Sequence, residues 1–398
     1  MSPNPSHGAM SFALPPSLLQ YLKDLDSFIT STITPLQNSN DNKRFFDHRR
    51  EHSRTDWDKG GLPTEDWEAL LSESRQLADK AGFYRFCLPT EYGGQNGGNL
   101  WMAVIRIHLA KKGLGLFNDL QNEHSIVGNF PDVLMVREFG TVEQKKRFIK
   151  GRLEGRVGLA FGLTERGHGS DATHMRRRSI VGNFPDVLMV REFGTVEQKK
   201  RFIKGRLEGR VGLAFGLTER GHGSDATHMS TFAERKKGKG GEDGLRQAAS
   251  SLGAAMYCIE ESVKYARTRK PFGKELASNQ GIQFPLVELA TQAEMLQLLI
   301  LKTATEMDKM TQKEIERDLG DKVSMCNYWG NRLCTQAADR AMQVHGGIGY
   351  SRHKPFEHIY RHHRRYRITE GSEEIQMRKI AAYLFGFVGP RKAELSKL

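Results

Sequence analysis

The chain has 398 residues, 38% hydrophobic and 27% charged, with a formal net charge of +13 and a mean hydropathy of -0.55. That length accommodates one to three domains with a sizeable core. No apolar run reaches the length a membrane helix needs, so no membrane span is expected. The basic excess is spread along the chain, with clusters at Arg176-Arg177-Arg178, Lys236 to Lys239 and Arg361 to Arg367. It suits an anionic partner such as cofactor phosphates, and no nucleic-acid-binding module accompanies it.

In chain order, helix is expected over most of residues 12–124. "SLLQYLKDLDSFITSTI" spaces Leu18, Leu22, Leu25 and Phe28 on one helical face. "PTEDWEALLSESRQLADKAGF" opens with Pro63 and Thr64 as a start signal and stops at Gly82. "CLPTEYGGQNGG" reads as a glycine-rich loop, and "LWMAVIRIHLAKKGLG" as a further apolar helix.

A repeat follows. Ser125 to Met175 recurs without a mismatch as Ser179 to Met229, joined by Arg176-Arg177-Arg178. Solenoid repeats diverge at their surfaces and come in threes or more, because one unit cannot bury its own face. Two perfect copies therefore mark a recent duplication or an assembly error rather than a functional tandem. Residues 230–244 are polar, basic and glycine-rich, and read as a linker.

Beyond it the pattern is helical. One stripe is Ala248, Leu252, Ala255, Ile259, Val263 and Ala266. A second is Leu286, Leu289, Ala293, Leu296, Ile300, Thr303 and Met307, and a third Val323, Cys326, Gly330, Leu333, Ala337, Ala341 and Val344. A fourth helix runs from Ser372, a candidate cap, to Phe385, with Glu373 and Glu374 at its positive end. Residues 245–386 thus read as a four-helix bundle. His358 and His362 stand four apart on a further expected helix. They lack a third ligand, so a basic solvated face is expected there and no metal.

The cysteines Cys87, Cys258, Cys326 and Cys334 form no C-x-x-C pair, as expected of reduced intracellular thiols. The N-terminus lacks the pattern of a mitochondrial presequence. The last three residues, Ser396-Lys397-Leu398, match the peroxisomal import signal and imply a peroxisomal import receptor as partner.

"RTRKPFGKEL" (267–276), "QVHGGIGY" (343–350) and "ITEGSEEIQ" (368–376) lie in the order and spacing of an acyl-CoA dehydrogenase C-terminal domain, and the chain resembles that family. "FGLTERGHGSD" is similar to its flavin-contacting loop, T-E-x-x-x-G-S-D, and the N-terminal helices with "LPTEYGG" to its N-terminal domain. The resemblance implies a mainly α fold: an N-terminal helical domain over 12–175 that ends in the flavin loop, a duplicate over 179–229, the linker, the bundle and a tail over 387–398. It also implies FAD as cofactor, an acyl-CoA substrate, a homodimer or homotetramer, and electron-transfer flavoprotein or dioxygen as electron acceptor.

The residue roles implied by the resemblance are as follows. The family's base lies in a Y-E-G-[TS] turn, here Thr369-Glu370-Gly371-Ser372, which makes Glu370 the catalytic base. On periodicity alone Glu370 is an ordinary loop acid. R-x-x-F-G falls on Arg269, Phe272 and Gly273, with the arginine reaching the cofactor pyrophosphate of a neighbouring subunit. Asn279-Gln280 partly matches the family's H-Q pair. Q-x-x-G-G falls on Gln343, Gly346 and Gly347, and T-x-Q on Ser372 and Glu374, where a carboxylate replaces the usual amide. In the flavin loop Thr164 and Ser170, or Thr218 and Ser224 in the second copy, contact flavin and substrate. His168 and His222 replace a small residue, and Arg166 and Arg220 a proline. "EDGLR" is similar to a substrate-contacting D-x-x-R, with Asp243 and Arg246 in its two positions.

One part of the family pattern is missing. The middle β-domain that covers the flavin needs at least ~60 residues, and only 15 lie between Met229 and Leu245. An uncovered flavin is wet on one side, the base loses desolvation and the reduced flavin meets dioxygen, so poor activity is expected. The expected reaction is α,β-dehydrogenation of an acyl-CoA in fatty acid β-oxidation. The alternatives are an acyl-CoA oxidase-like activity using dioxygen and a non-catalytic helical oligomer.

Overall fold

The computed structural model describes residues 13–59, 61–120, 125–130, 133, 134, 136, 137, 140–153, 240–369 and 371–390; of 51 and 240–243 the backbone alone is described. The N-terminal part holds α1 (Pro16–Phe28), α2 (Glu65–Lys80) and α3 (Asn99–Lys111). Thr64 stands at the N-cap of α2 and Gly82 leaves it at φ +83°, as the sequence predicts, although Thr64 makes no side-chain cap bond. A two-residue antiparallel pair, β1 (Thr55–Asp56) on β2 (Leu62–Pro63), was not foreseen. The C-terminal part holds α4 (Gly240–Thr268), α5 (Gln280–Met307), α6 (Gly320–His345), α7 (Phe356–Tyr366) and α8 (Glu373–Leu384). Of these, α4, α5, α7 and α8 all pack on α6.

The stripes explain the bundle. All seven predicted residues of α5 are buried, as are all seven of α6. On α4 five of the six are buried, whereas Val263 is 42% exposed. The segment expected as linker is shorter than predicted, because α4 begins at Gly240. Gly240, Gly241 and Gly244 make a helix start look unfavourable there, and packing of this helix on α3 and α6 overrides their poor propensity. The expectation of no membrane-length apolar segment is also corrected. Among the described residues α5 is long and apolar enough to cross a membrane by length and composition, yet Leu289, Ala293, Leu296, Ile300 and Met307 of its stripe pack in the bundle core.

Helix α3 joins the two cores. Met102, Ile105 and Leu109 pack among the N-terminal residues, while Ala103 and Ile107 belong to the bundle core, which α3 meets through α4 and α5. Burial on both sides requires a helix apolar nearly all round, as this one is. Two contacts hold it. A Cβ added at Gly253 of α4 would stand 2.5 Å from the Ile107 carbonyl oxygen and 2.6 Å from the Ala110 Cβ, so only glycine lets these helices meet so closely. At the N-terminus of α3 the Asp308 carboxylate accepts from the backbone N–H of Asn99 (2.6 Å) and Leu100 (3.0 Å). A carboxylate beside those orphan donors complements the helix dipole.

Candidate active site

The predicted site residues separate into two groups along α6. The first sits at one end of the bundle. Arg340 of α6 donates to the Gly281 carbonyl at 2.5 Å, and Tyr265 of α4 stacks on His345 of α6 at 4.3 Å. These contacts bring together the end of α4, the start of α5 and the end of α6. Arg269, Gln280 and Gln343 are all exposed there. Phe272 is fully exposed and left-handed (φ +54°), followed by Gly273 at φ +82°. Gly346 ends α6 at φ +65°, ψ −141°, a conformation reserved for glycine. A Cβ at Gly273, Gly346 or Gly347 would meet nothing within 4 Å. These glycines are thus not required by packing inside the chain. They leave bare backbone facing outward beside an exposed guanidinium, a surface that fits a pyrophosphate approaching from outside.

The second group lies at the head of α8. Ser372 is buried and occupies the N-cap position, without the side-chain cap bond the sequence predicts. Gly371 takes φ +93°, and Glu374 is exposed. Glu370 itself lies outside the described residues, between Thr369 and Gly371. The turn is tied to α6 by charge. Arg367 donates from Nε and Nη2 to both Glu373 carboxylate oxygens at 2.9 Å and from Nη1 to Thr335 Oγ1 at 3.1 Å. Arg332 approaches the same carboxylate at 3.3 Å. The Arg367 hydrogen bonds hold the Glu373 carboxyl below the usual range, against burial and with help from Arg332. Thr335 and Gln343 are eight residues apart, so the two groups stand about 12 Å apart along α6.

Thr164, Thr218, Ser170 and Ser224, with both copies of the flavin loop, lie outside the described residues, as does the Asp243 side chain. Arg246 is buried near the start of α4, where Nη1 donates to Asn129 Oδ1 at 2.6 Å. The histidine pair departs from the expected solvated face. His358 is half-buried and stacks on His48 at 4.6 Å, and His362 packs edge-on to Tyr366 at 5.0 Å. Burial is the main cause that lowers the pKa of both stacked rings, His48 to about 4. Sequence reading missed this stack and the Arg367–Glu373 clamp. The stack joins residues some 300 positions apart, and the clamp spans six residues across a turn, so neither follows a helical or strand period.

Comparison with known proteins matches the chain in two parts. The family model described as "Acyl-CoA dehydrogenase, N-terminal domain" matches residues 40–156, and that described as "Acyl-CoA dehydrogenase, C-terminal domain" matches residues 245–385. A 3-(aryl)acrylate reductase of Clostridium sporogenes is 30% identical over 76% of this chain and 87% of its own length. An acyl-CoA dehydrogenase of Bacillus subtilis is 28% identical over 77% and 88%. The caffeyl-CoA reductase-Etf complex subunit CarC of Acetobacterium woodii is 27% identical over 77% and 87%. Among solved structures, butyryl-CoA dehydrogenase from Megasphaera elsdenii shares the fold with a TM-score of 0.60 at 19% identity, covering 94% of this chain and all of that one. The likeness in sequence, in domain order and in fold has one meaning: the chain belongs to the acyl-CoA dehydrogenase family, whose members are FAD-dependent enzymes.

Proposed function

We propose that the protein dehydrogenates an acyl-CoA thioester at Cα–Cβ, with Glu370 as the base that takes the Cα proton. The observation that carries this reading is the turn at the head of α8. It is fixed to α6 by Arg367 and Glu373, opens through Gly371 at positive φ and leads into a buried Ser372. FAD, when bound, accepts the hydride from Cβ. Arg269 would reach the pyrophosphate of a neighbouring copy's cofactor, with Phe272, Gln280, Gln343, Gly346 and Gly347 lining its approach; Ser372 would offer its hydroxyl to a phosphate, and Glu374, a carboxylate in place of the family's amide, would weaken that contact. Thr164 or Thr218 contacts the flavin. Ser170 or Ser224, Asp243 and Arg246 serve the substrate, Arg246 through its contact with Asn129.

A homo-oligomer follows from the outward placement of the first group. The outer face of α5 supports it, because Phe284, Val287, Met295 and Leu298 are 44–66% exposed on one helix. Electron-transfer flavoprotein is the acceptor that the relative named as an Etf-complex subunit favours. Dioxygen is the acceptor favoured by a flavin without its β-domain cover, which also makes turnover slow. Ser396-Lys397-Leu398 supports import into peroxisomes and a place in fatty acid β-oxidation; a fluorescent fusion that stays diffuse with the tripeptide exposed would count against it. The test of the base is E370Q, which removes the proton acceptor while keeping the side-chain shape. It should abolish enoyl-CoA formation.

A further inference from the structure

Isolated surface ion pairs contribute little, but the one beside the Glu370 turn has a different geometry. The Arg367 and Glu373 side chains are only 22% and 12% exposed. Their contact is bidentate and bridges residues 367 and 373, so it closes a ring around the intervening turn. The Glu373 backbone N–H also donates to the Arg367 carbonyl at 3.1 Å, which closes the same ring through the main chain. The third arm of the guanidinium reaches Thr335, whose hydroxyl donates in turn to the Arg332 carbonyl at 2.8 Å. Helix α8 starts without a side-chain cap, and the clamp ties its first turn to α6.

We propose that Arg367 is a positioning residue for the dehydrogenation: paired with Glu373 across the turn and anchored on Thr335, it fixes on α6 the segment that carries the base in sequence, from Arg367 to Glu373. This rests on the reading of Glu370 as the base. Two consequences follow from charge and geometry. Reaction geometry must be kept to a fraction of an ångström, and a turn closed by two parallel hydrogen bonds keeps it better than an open one. A bare Glu373 would also be a second carboxylate three residues from the base. Arg367 and Arg332 neutralise it, so that Glu370 is not opposed by a like charge.

The test uses FAD-loaded full-length protein and stopped-flow bleaching of the flavin by an excess of acyl-CoA. The proteins are wild type, E370Q, R367Q, R367K and the charge swap R367E/E373R. R367Q should lower the limiting bleaching rate at least about tenfold, with half-saturation unchanged within about twofold. It should also move the acid limb of the rate–pH profile upward, as loss of a nearby positive charge favours the protonated base. R367K and the charge swap should each recover part of the rate. A loss caused only by loosened folding would leave the pH limb in place. R367Q at the wild-type rate, with E370Q inactive, would overturn the clamp and leave the base intact. E370Q at the wild-type rate would overturn the base and the clamp with it. Amide hydrogen exchange of residues 371–376 needs no turnover. It should quicken at least about tenfold in R367Q and return towards wild type in the charge swap; unchanged exchange in R367Q would overturn the clamp.

Discussion

The His48–His358 stack makes acid stability measurable at one seam between the N-terminal part and α7. His48 follows the turn Asn42–Phe46, and its ring lies 4.6 Å from His358 at an angle of 32°. Burial pushes the His48 imidazole down to about 4, with His358 and Arg54 adding to the effect and Asp119 and Asp47 opposing it. His358 is lowered by burial and by Arg54 and His362, against Asp119 and Glu357. A ring whose folded pKa is depressed favours the neutral form. Its stability is complete above the unfolded value of 6.5 and is lost as pH falls towards about 4. At 1.36 kcal/mol per unit the His48 shift corresponds to about 3 kcal/mol, and partial exposure of the ring reduces this to roughly 1–2 kcal/mol. Urea unfolding of wild type and H48Q at pH 7 and pH 5 reads the difference. Wild type should lose about 1 kcal/mol more than H48Q across that interval. Asp47 is held down to about 2 by Arg49, so it titrates below this window. Equal losses in the two proteins would refute the reasoning.

Three further outcomes are expected. G253A should cost about 1–3 kcal/mol, because its Cβ would meet the Ile107 carbonyl oxygen at 2.5 Å; denaturant unfolding measures it, and a neutral effect would show that α3 and α4 can separate freely. D308A removes the carboxylate from the α3 N-terminus and should cost about 1–2 kcal/mol, with D308N intermediate; equal stability of all three proteins would refute the cap. R269A should weaken FAD binding about tenfold in an absorbance titration while leaving the unfolding midpoint of the cofactor-free protein unchanged, since the guanidinium is exposed and not part of the bundle core. Wild-type FAD binding that is stoichiometric and tight would contradict the loosely held flavin expected from the short span between Met229 and Leu245.

Much of the helical architecture is legible in the residues because burial repeats with the helix. The stripes of α5 and α6 were assigned without error, and Gly82 and Thr64 bounded α2 as read. Val263 fell on the right helical phase but beyond the face that its neighbours cover. What was hidden is set by tertiary contact. Nothing local in α3 says which of its sides meets which core. The His48–His358 stack, the Asp308 cap on Asn99 and the Arg246–Asn129 contact each join residues far apart in the chain. The exposed ends at Arg269 and Gly346 were legible only through their motif, because exposed residues carry no periodic burial signal.

The central claim is that Glu370 removes the Cα proton of an acyl-CoA in this chain. The most direct measurement is loss of solvent-exchangeable label at Cα and formation of enoyl-CoA, followed by mass spectrometry with FAD-loaded wild type and E370Q. The account predicts slow product formation by wild type and, for E370Q, neither product nor Cα exchange above the protein-free control. Product formation by E370Q at the wild-type rate would contradict it.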